Sequence, residues 1–333
     1  MEVERLTLSE WDDALPGDGF EVFHLADALE VLDEHAAGNL RLYGGFKGDQ
    51  PVALLPTFVR RMGVGRAVTS PPPSMAVPRL GPLVMPNSPK QRKRESVNRR
   101  FVEGVMDDLD VDGSMSVCRI LCPLTYDDPR PFRWGKLELQ PSFTYVLEAE
   151  GSADDLMGSF SKSLRRELRN LIDSDVTVGV EGHDAARTVY DDVAARYAEQ
   201  GEEFGPTWKY VSDLVSALGD RARVYVARAP DGRYLSGVIA LYSNDAAYYW
   251  LGGSRASYDN DSVNSLVHWA ILRDLLSDPP VESVSRYDLV GANTERLCRY
   301  KAKFGGEVVP YFVVESPGKS MDLAKRAYRF VRG

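Results

Sequence analysis

The strongest constraint on the fold lies in the second half of the chain, where short apolar runs alternate with helical patterns. Apolar residues of segment 263–276 recur at the i, i+3, i+4, i+7, i+8 spacing of a helix with one buried face. Three strand-like runs precede this helix, and a strand, a helix and a strand follow it. These six segments are Arg223–Ala227, Leu235–Tyr242, Ala246–Leu251, Ser285–Val290, Thr294–Phe304 and Val308–Glu315. The order predicts a mixed sheet packed against helices.

The first half has a looser version of the same plan. A helix is predicted over 24–34, strands over 40–46 and 51–59, and a helix from Ser88-Pro89 to about Leu109. The chain of 333 residues is long enough for two domains. We therefore predict two α/β modules (α+β mixed sheets), residues 1–150 and 151–333, and a helix over 154–172 at the start of the second.

Composition excludes several classes of protein. The chain carries 40 basic and 49 acidic residues, a net charge of −9, which disfavours a general DNA-binding protein. Its three cysteines and four scattered histidines fit neither a disulfide framework nor a structural zinc site, and no metal is expected. No apolar run approaches the length of a transmembrane helix, and the start of the chain does not resemble a signal peptide. We expect a cytoplasmic protein.

Basic residues form one stripe on the predicted helix that opens the second module. Lys162, Arg165, Arg166 and Arg169 fall at i, i+3, i+4 and i+7, opposite an apolar stripe. Such a stripe can bind an anionic group such as a phosphate. A solvated helix face without a ligand would show the same pattern, and the sequence does not separate the two.

Lys301 lies on the apolar side of the predicted helix 294–304. It follows Leu297 by four residues and precedes Phe304 by three. An unpaired buried ammonium is costly, so an inward lysine either serves a cleft as a cation or extends its head back to water. The chain has no Gly-x-Ser-x-Gly, Walker or Gly-x-Gly-x-x-Gly motif. Catalysis would therefore rest on positioning and charge stabilisation.

Six segments, taken in order, resemble Fem-type (FemAB-like) transferases of the GNAT superfamily. The ending in an aromatic residue, a lysine and Phe-Gly-Gly is the most specific of them. The segments are Asp128-Pro-Arg-Pro-Phe-Arg-Trp134, Ser142-Phe-Thr-Tyr-Val-Leu147, Ser161-Lys-Ser-Leu-Arg-Arg-Glu-Leu-Arg169, Asn264-Ser-Leu-Val-His-Trp-Ala-Ile271, Tyr287-Asp-Leu-Val-Gly-Ala-Asn293 and Arg299-Tyr-Lys-Ala-Lys-Phe-Gly-Gly306.

The resemblance implies two tandem GNAT-like domains with a cleft between them, and acyl or aminoacyl transfer to an amine. It places Tyr300 and Lys301 at the transfer site and makes Asp128 a candidate base. The candidate substrate-binding residues are Arg130, Trp134, Arg165, Arg166, Arg169, Asn264 and Asn293. No permanent cofactor is implied, and the co-substrate is acyl-CoA or aminoacyl-tRNA. Acidic Asp259 and Asp261 stand where simple GNAT enzymes have a glycine-rich pyrophosphate loop, which argues against the usual CoA mode.

The resulting hypothesis is an acyltransferase, either a GNAT-type N-acyltransferase or a Fem-type aminoacyltransferase. Its acceptor is an amine on a small molecule or on a cell-envelope or glycan-linked precursor, with tRNA as a further partner. The alternative is a non-catalytic GNAT-fold protein that binds an anionic glycan or nucleotide-linked precursor. Turnover of an acyl donor separates the two. The sequence leaves the donor, the acceptor and the oligomeric state open.

Overall fold

The computed structural model describes residues 1–63, 65–85, 88–111, 116–253 and 256–318. Contacts divide the chain into two units. Unit 1 comprises Met1–Ser142 and the chain from Pro310 onwards, and unit 2 comprises Phe143–Val309. The predicted domain boundaries, 1–150 and 151–333, stay a prediction. Among the described residues, no helix is long and apolar enough to cross a membrane.

Helices and strands follow one another along both units. The helices are α1 (Leu8–Ala14), α2 (Ala26–His35), α3 (Gln91–Asp108), α4 (Arg130–Trp134), α5 (Ala153–Ser159), α6 (Lys162–Ile172), α7 (His183–Glu199), α8 (Trp208–Leu218), α9 (Val263–Ser277) and α10 (Glu295–Lys301). The strands are β1 (Glu2–Leu6), β2 (Asn39–Lys47), β3 (Gln50–Met62), β4 (Gly65–Ser70), β5 (Leu83–Val84), β6 (Ser116–Leu121), β7 (Glu138–Glu148), β8 (Thr177–Glu181), β9 (Ala222–Arg228), β10 (Tyr234–Tyr242), β11 (Ala246–Gly252), β12 (Ser257–Tyr258), β13 (Asp261–Ser262), β14 (Arg286–Asp288) and β15 (Glu307–Glu315).

The sheet of unit 1 has the strand order β1-β2-β3-β4-β6-β15, with β5 beside β3. Strands β1 to β4 are antiparallel neighbours. The next pair, β4 and β6, is parallel, with Val68 opposite Cys118. Helix α3 connects these two strands and buries Phe101, Val102 and Val105 in the core. Residues Val313–Glu315 of β15 then pair antiparallel with β6.

The sheet of unit 2 has the strand order β8-β9-β10-β11-β14-β7. Strands β8 to β11 are antiparallel neighbours, with an irregularity between Ile239 and Ala240 of β10. The next pair, β11 and β14, is parallel, with Ala247 opposite Tyr287. Helix α9 connects these two strands. The residues of β7 that belong to unit 2 close the sheet antiparallel to β14.

The two units therefore share one topology. Each has four antiparallel strands, then a parallel pair joined through a helix, then one antiparallel strand. Unit 1 completes its sheet with β15, which follows unit 2 in the chain. Unit 2 completes its sheet with β7, which precedes the other strands of unit 2 in the chain. A parallel pair needs a crossover connection, and α3 and α9 supply it. The predicted mixed α/β fold with two modules of one plan is confirmed.

The predicted helix over 154–172 is wrong in one respect, because it is two helices. Helix α5 ends at Ser159, and α6 begins after Ser161, whose hydroxyl accepts a hydrogen bond from the amide of Leu164. A serine at this position satisfies an amide that the first turn of a helix leaves unpaired. Phe160 between them is buried against Trp269 and Phe304. The break between the two helices thus directs the Phe160 side chain into the core of unit 2.

Candidate functional site

The candidate site lies in unit 2, at the carboxyl ends of the parallel strands β11 and β14. In mixed sheets, ligands bind where the carboxyl ends of parallel strands leave a crevice. Strand β11 ends in Gly252, followed by Gly253, and β14 ends in Asp288. The first turn of α9 begins at Val263 near the same edge. Polar side chains from α9, α10, β11 and β14 converge there, and we call them the edge cluster: Tyr249, Asn264, His268, Tyr287, Tyr300 and Lys301.

Lys301 is bound by the backbone of the loop that follows β14. Its ammonium nitrogen donates to the carbonyl oxygens of Leu289 at 2.6 Å, Val290 at 2.7 Å and Gly291 at 2.8 Å. The residue is only 4% exposed, as its inward position in the sequence predicted. An ammonium has three N–H donors, and all three are used here. Lys301 therefore holds the loop and has no free donor for a substrate oxygen in this arrangement.

The loop held by Lys301 has an unfavourable backbone. Val290 has φ of +51°, a left-handed conformation that is strained for a β-branched residue. Asp288, which is buried, supports the same loop by accepting a hydrogen bond from the amide of Val290 at 2.7 Å. Thr144 donates to the same carboxylate at 2.5 Å. The loop is thus fixed from both sides, by an ammonium on its carbonyls and a carboxylate on its amide.

A hydrogen-bonded row joins α9 to its neighbours. The Asn264 side-chain amide donates to Nε2 of His268 at 3.1 Å and to the Tyr300 hydroxyl at 3.0 Å. Because Nε2 accepts, Nδ1 of His268 carries the ring proton and donates to the Tyr287 hydroxyl at 2.7 Å. Oδ1 of Asn264 is buried with no donor among the described residues, and so is the hydroxyl of Ser265. Both atoms lie at the start of α9, buried among the polar groups of the cluster.

Burial sets the protonation states of the cluster. Burial, helped by the nearby positive charge of Lys301, lowers the pKa of His268 to about 3, so the ring is neutral at physiological pH. Burial also lowers the pKa of Lys301 to about 8, although the charge of Asp288 opposes this. The pKa of the Tyr300 hydroxyl is raised, chiefly by burial. The site therefore contains neutral hydrogen-bonding groups around one ammonium.

The turn after β11 lies directly against the cluster. A Cβ at Gly253 would lie 3.0 Å from Oδ1 of Asn264 and would overlap the Tyr249 hydroxyl. The backbone φ of Gly253 is +79°, in the left-handed region. Arg196 of α7 donates to the carbonyl oxygens of both Gly252 and Gly253. The Tyr249 hydroxyl donates to that of Gly252 at 2.7 Å. Only glycine fits at 253, where the backbone passes close to the polar groups.

The predicted basic stripe is a feature of α6. Arg166 and Arg169 are exposed and Arg165 is half-buried, and none has a carboxylate partner in the part of the chain that the structure describes. One helical turn after Arg166, the exposed side chain of Asn170 donates to Asp261 at 2.8 Å. The start of α6 also meets the end of α10, since the amide of Ser161 donates to the carbonyl of Lys303 at 2.8 Å.

An open depression of about 370 Å³ lies along α10. It is lined by Glu295, Arg296, Arg299, Tyr300 and Lys303. Arg299 pairs with Glu295, which leaves Arg296 and Lys303 as cations with no carboxylate partner among the described residues. Tyr300 belongs to this surface and to the edge cluster. The depression thus shares one residue, Tyr300, with the edge cluster.

The remaining predicted residues occupy other places. Asn293 exchanges hydrogen bonds with the backbone of Phe143 and thereby anchors the loop that precedes α10. Asp128, Arg130 and Trp134 belong to unit 1. Arg130 binds Asp128 at 2.6 Å and lies 5.8 Å from the centre of the Trp134 ring. This pairing lowers the pKa of Asp128, which weakens it as a proton acceptor.

The corresponding edge of unit 1 is covered. The amide of Leu80 donates to the carbonyl of Leu121 at the end of β6. A Cβ at Gly81 would lie 2.7 Å from the Cα of Cys122, so backbone packs directly on the strand end. Beside Gly81, Nε of Arg79 lies 2.8 Å from Oε1 of Glu21, and this buried ion pair holds the segment in place. Unit 1 therefore has the same topology, but backbone and a buried ion pair cover this strand end.

Several members of the site were not predicted. His268, Tyr249 and Tyr287 looked like ordinary core residues of apolar segments. Each of these residues places a polar group inside an apolar segment. A buried polar group requires a hydrogen-bond partner, and this could have indicated the site. Arg196 gave no signal, because its role depends on where α7 packs.

Comparison with known proteins shows which fold this is. Residues 158–302 match the model of the acetyltransferase (GNAT) domain, and this range contains every residue of the edge cluster. No curated protein matches the chain in sequence. Among solved structures, FemX is similar with a TM-score of 0.69 and 12% identity, over 94% of this chain and 97% of that one.

Two further structures extend the likeness. The C-terminal domain of a putative lysylphosphatidylglycerol synthetase from Agrobacterium fabrum has a TM-score of 0.56 and 12% identity, over 97% of this chain and 95% of that one. A tandem GNAT protein from the clavulanic acid biosynthesis pathway has a TM-score of 0.52 and 13% identity, over 94% and 97%. The chain therefore shares its fold with FemX and with a tandem GNAT protein, its residues 158–302 match the GNAT acetyltransferase domain model, and the predicted resemblance to Fem-type proteins is confirmed for the fold.

Proposed function

We propose that unit 2 catalyses the transfer of an acyl or aminoacyl group from an activated, anionic donor to an amine. The observation that carries the proposal is the edge cluster itself. It lies at the carboxyl ends of the parallel strands, inside the segment that matches the GNAT acetyltransferase domain. The covered edge of unit 1 supports unit 2 as the catalytic half.

The proposed reaction needs an oriented amine and a stabilised carbonyl oxygen. The amine lone pair forms a bond to the acyl carbon, and the bond from that carbon to the leaving sulfur or oxygen breaks. Asn264 has a buried acceptor without a donor among the described residues, which suits an N–H group of a substrate. The Tyr300 hydroxyl accepts a hydrogen bond from this amide, and Tyr300 also lines the depression on α10. Lys301 acts as a positioning residue, because its donors hold the 289–291 loop.

The basic surface suits the donor. Acyl-CoA and aminoacyl-tRNA both carry phosphates, and both would be attracted to the cations of α6 and α10. We propose Arg165, Arg166 and Arg169 as residues that bind this anionic part. The acceptor is then an amine on a small molecule or on a cell-envelope or glycan-linked precursor. The names of two neighbours, FemX and a lysylphosphatidylglycerol synthetase, are consistent with aminoacyl donors.

Ligand-induced thermal shifts test the proposal. The panel is acetyl-CoA, a longer acyl-CoA, uncharged tRNA, charged tRNA and a UDP-sugar precursor, with wild type and Lys301→Ala each compared with its own ligand-free midpoint. A ligand that binds the folded state raises the midpoint. A shift with a CoA thioester supports the N-acyltransferase, and a shift with charged tRNA supports the aminoacyltransferase. A UDP-sugar shift alone, with no donor turned over, supports the non-catalytic binding protein, and no shift at all contradicts the proposal.

A further inference from the structure

Asp192 of α7 has a carboxylate near the turn Gly252–Gly253. It does not belong to the edge cluster. It is half-buried, and the Tyr234 hydroxyl donates to it at 3.3 Å. It accepts no other hydrogen bond and forms no ion pair among the described residues. The neighbouring Asp191, in contrast, is exposed and paired with Arg187 at 2.8 Å. Asp192 thus keeps lone pairs available on the buried side of its helix.

Two connections place Asp192 beside the turn. Arg196, one helical turn further along α7, donates to the carbonyl oxygens of both glycines. From the other side, the Tyr234 hydroxyl lies 3.3 Å from the position of a Cβ at Gly237, and the carbonyl of Gly237 accepts a hydrogen bond from the amide of Gly253 at 3.0 Å. The carboxylate therefore lies on the α7 side of the same strand end that carries the edge cluster on its α9 side.

We propose that Asp192 is the general base that removes a proton from the amine substrate at the Gly252–Gly253 turn. The inference rests on the proposed acyl transfer. An ammonium substrate gives one proton to the carboxylate, the free amine attacks the acyl carbon, and the carbon–sulfur or carbon–oxygen bond of the donor breaks. The second proton leaves the nitrogen and neutralises the leaving group, and Asp192 returns its proton to water.

The surroundings of Asp192 suit a base. Burial raises its pKa, and the charge of Glu199 adds to this, whereas the Tyr234 hydroxyl and the charge of Arg196 oppose it. Tyr249 is the remaining titratable group that interacts with it from the sheet. A raised pKa brings a carboxylate closer to that of an amine and makes proton transfer more effective. Asp128, whose pKa is lowered by Arg130, lacks this property.

Amines of different basicity test the assignment. Wild type, Asp192→Asn and the matched control Asp191→Asn are assayed at pH 7.5 with acetyl-CoA and with alanyl-tRNA as donors. The acceptors are L-lysine, whose amines are protonated at this pH, and hydroxylamine, which is neutral and needs no base. We expect Asp192→Asn to lower kcat/KM for lysine by about 10²–10⁴-fold. Its rate with hydroxylamine should stay close to that of wild type, as should both rates of Asp191→Asn.

The outcomes distinguish failure of the base assignment from failure of the proposed acyl transfer. Equal loss with both acceptors would show that Asp192 supports the structure and is not a base, and an unchanged lysine rate would also overturn the assignment. In either case wild-type turnover would leave the acyltransferase standing. A wild type that acylates neither acceptor with either donor overturns the proposed function and the base together.

Discussion

The ammonium nitrogen of Lys301 lies 2.6 Å from the carbonyl oxygen of Leu289, the residue that follows β14. Two further carbonyls of the same loop complete its coordination, so a residue that could have been a substrate contact is bound to backbone. The consequence is that the shape of the site edge depends on this side chain. It also means that loss of Lys301 acts first on the loop and through it on catalysis.

Replacing Lys301 should therefore affect stability as well as activity. Lys301→Met leaves three carbonyls without their donor, and we expect the free energy of unfolding to fall by about 3 kcal/mol. Lys209→Met is the control, because Lys209 forms an exposed i,i+4 pair with Asp213 that contributes at most about 0.5 kcal/mol. Urea unfolding of both variants measures the difference. Equal effects would show that Lys301 does not hold the loop.

Gly253 and Gly232 have similar backbone φ angles but different surroundings. Gly253→Ala forces a methyl group against Tyr249 and Asn264, and Gly232→Ala has a similar φ of +82° with nothing within 4 Å. Both should lose about 1–2 kcal/mol of stability from the left-handed backbone. Only Gly253→Ala should lose further stability and acyl transfer. Thermal midpoints and initial rates measure this, and two equally active variants would remove Gly253 from the site.

The buried neutral histidine makes stability depend on pH. The pKa of His268 is lowered to about 3 in the folded protein, so between about pH 6.5 and 3 the unfolded chain binds a proton that the folded chain excludes. Stability should fall as the pH falls through this window, by up to about 1.4 kcal/mol per pH unit for this group. His24 of unit 1, whose pKa is also lowered by burial, adds to the fall.

Urea unfolding between pH 4 and 8 checks this prediction. His268→Gln should show a shallower loss of stability with acid than wild type, whatever its stability at pH 8. The exposed His183 provides the control, and His183→Gln should follow the wild-type curve. A curve for His268→Gln that runs parallel to wild type would mean that His268 binds a proton in the folded protein as readily as in the unfolded chain.

The basic stripe should act on binding and not on chemistry. We expect Arg166→Gln/Arg169→Gln to raise KM for the anionic donor about fivefold to tenfold with kcat unchanged, since each exposed charge contributes up to about 1 kcal/mol. High salt should reduce the difference. The control Arg92→Gln/Arg100→Gln removes the same charge from α3 of unit 1. Equal KM values for the two double variants would contradict the role of the stripe.

The sequence predicted those parts of the fold whose pattern is local. Helix α9 and the strands β9 to β11 follow from apolar periodicity, and Lys301 was recognised as inward from its spacing alone. Strands β1 and β8 were missed because they are short, with most of their side chains half-buried or exposed. Strand β4 was missed because its few apolar residues precede a proline-rich loop. All three depend on neighbouring strands, which a local pattern does not reveal.

The site was predicted only in part for a similar reason. Lys301, Tyr300 and Asn264 come together as one group, but the carbonyls that bind Lys301 are backbone atoms and leave no mark in a sequence. His268 meets Asn264 through the one-turn spacing of α9, a pair that helical periodicity could have indicated. Asp192 and Arg196 depend on the packing of α7, so only the structure places them at the Gly252–Gly253 turn.

We propose that the edge cluster of unit 2 is the site of acyl transfer. The most direct measurement is the rate of donor consumption, as CoA or deacylated tRNA released in the presence of an amine, for wild type, Gly253→Ala and Gly232→Ala. We expect turnover by wild type and by Gly232→Ala, and a rate near background for Gly253→Ala. Turnover of no donor by wild type, or equal turnover by all three proteins, would contradict the proposal.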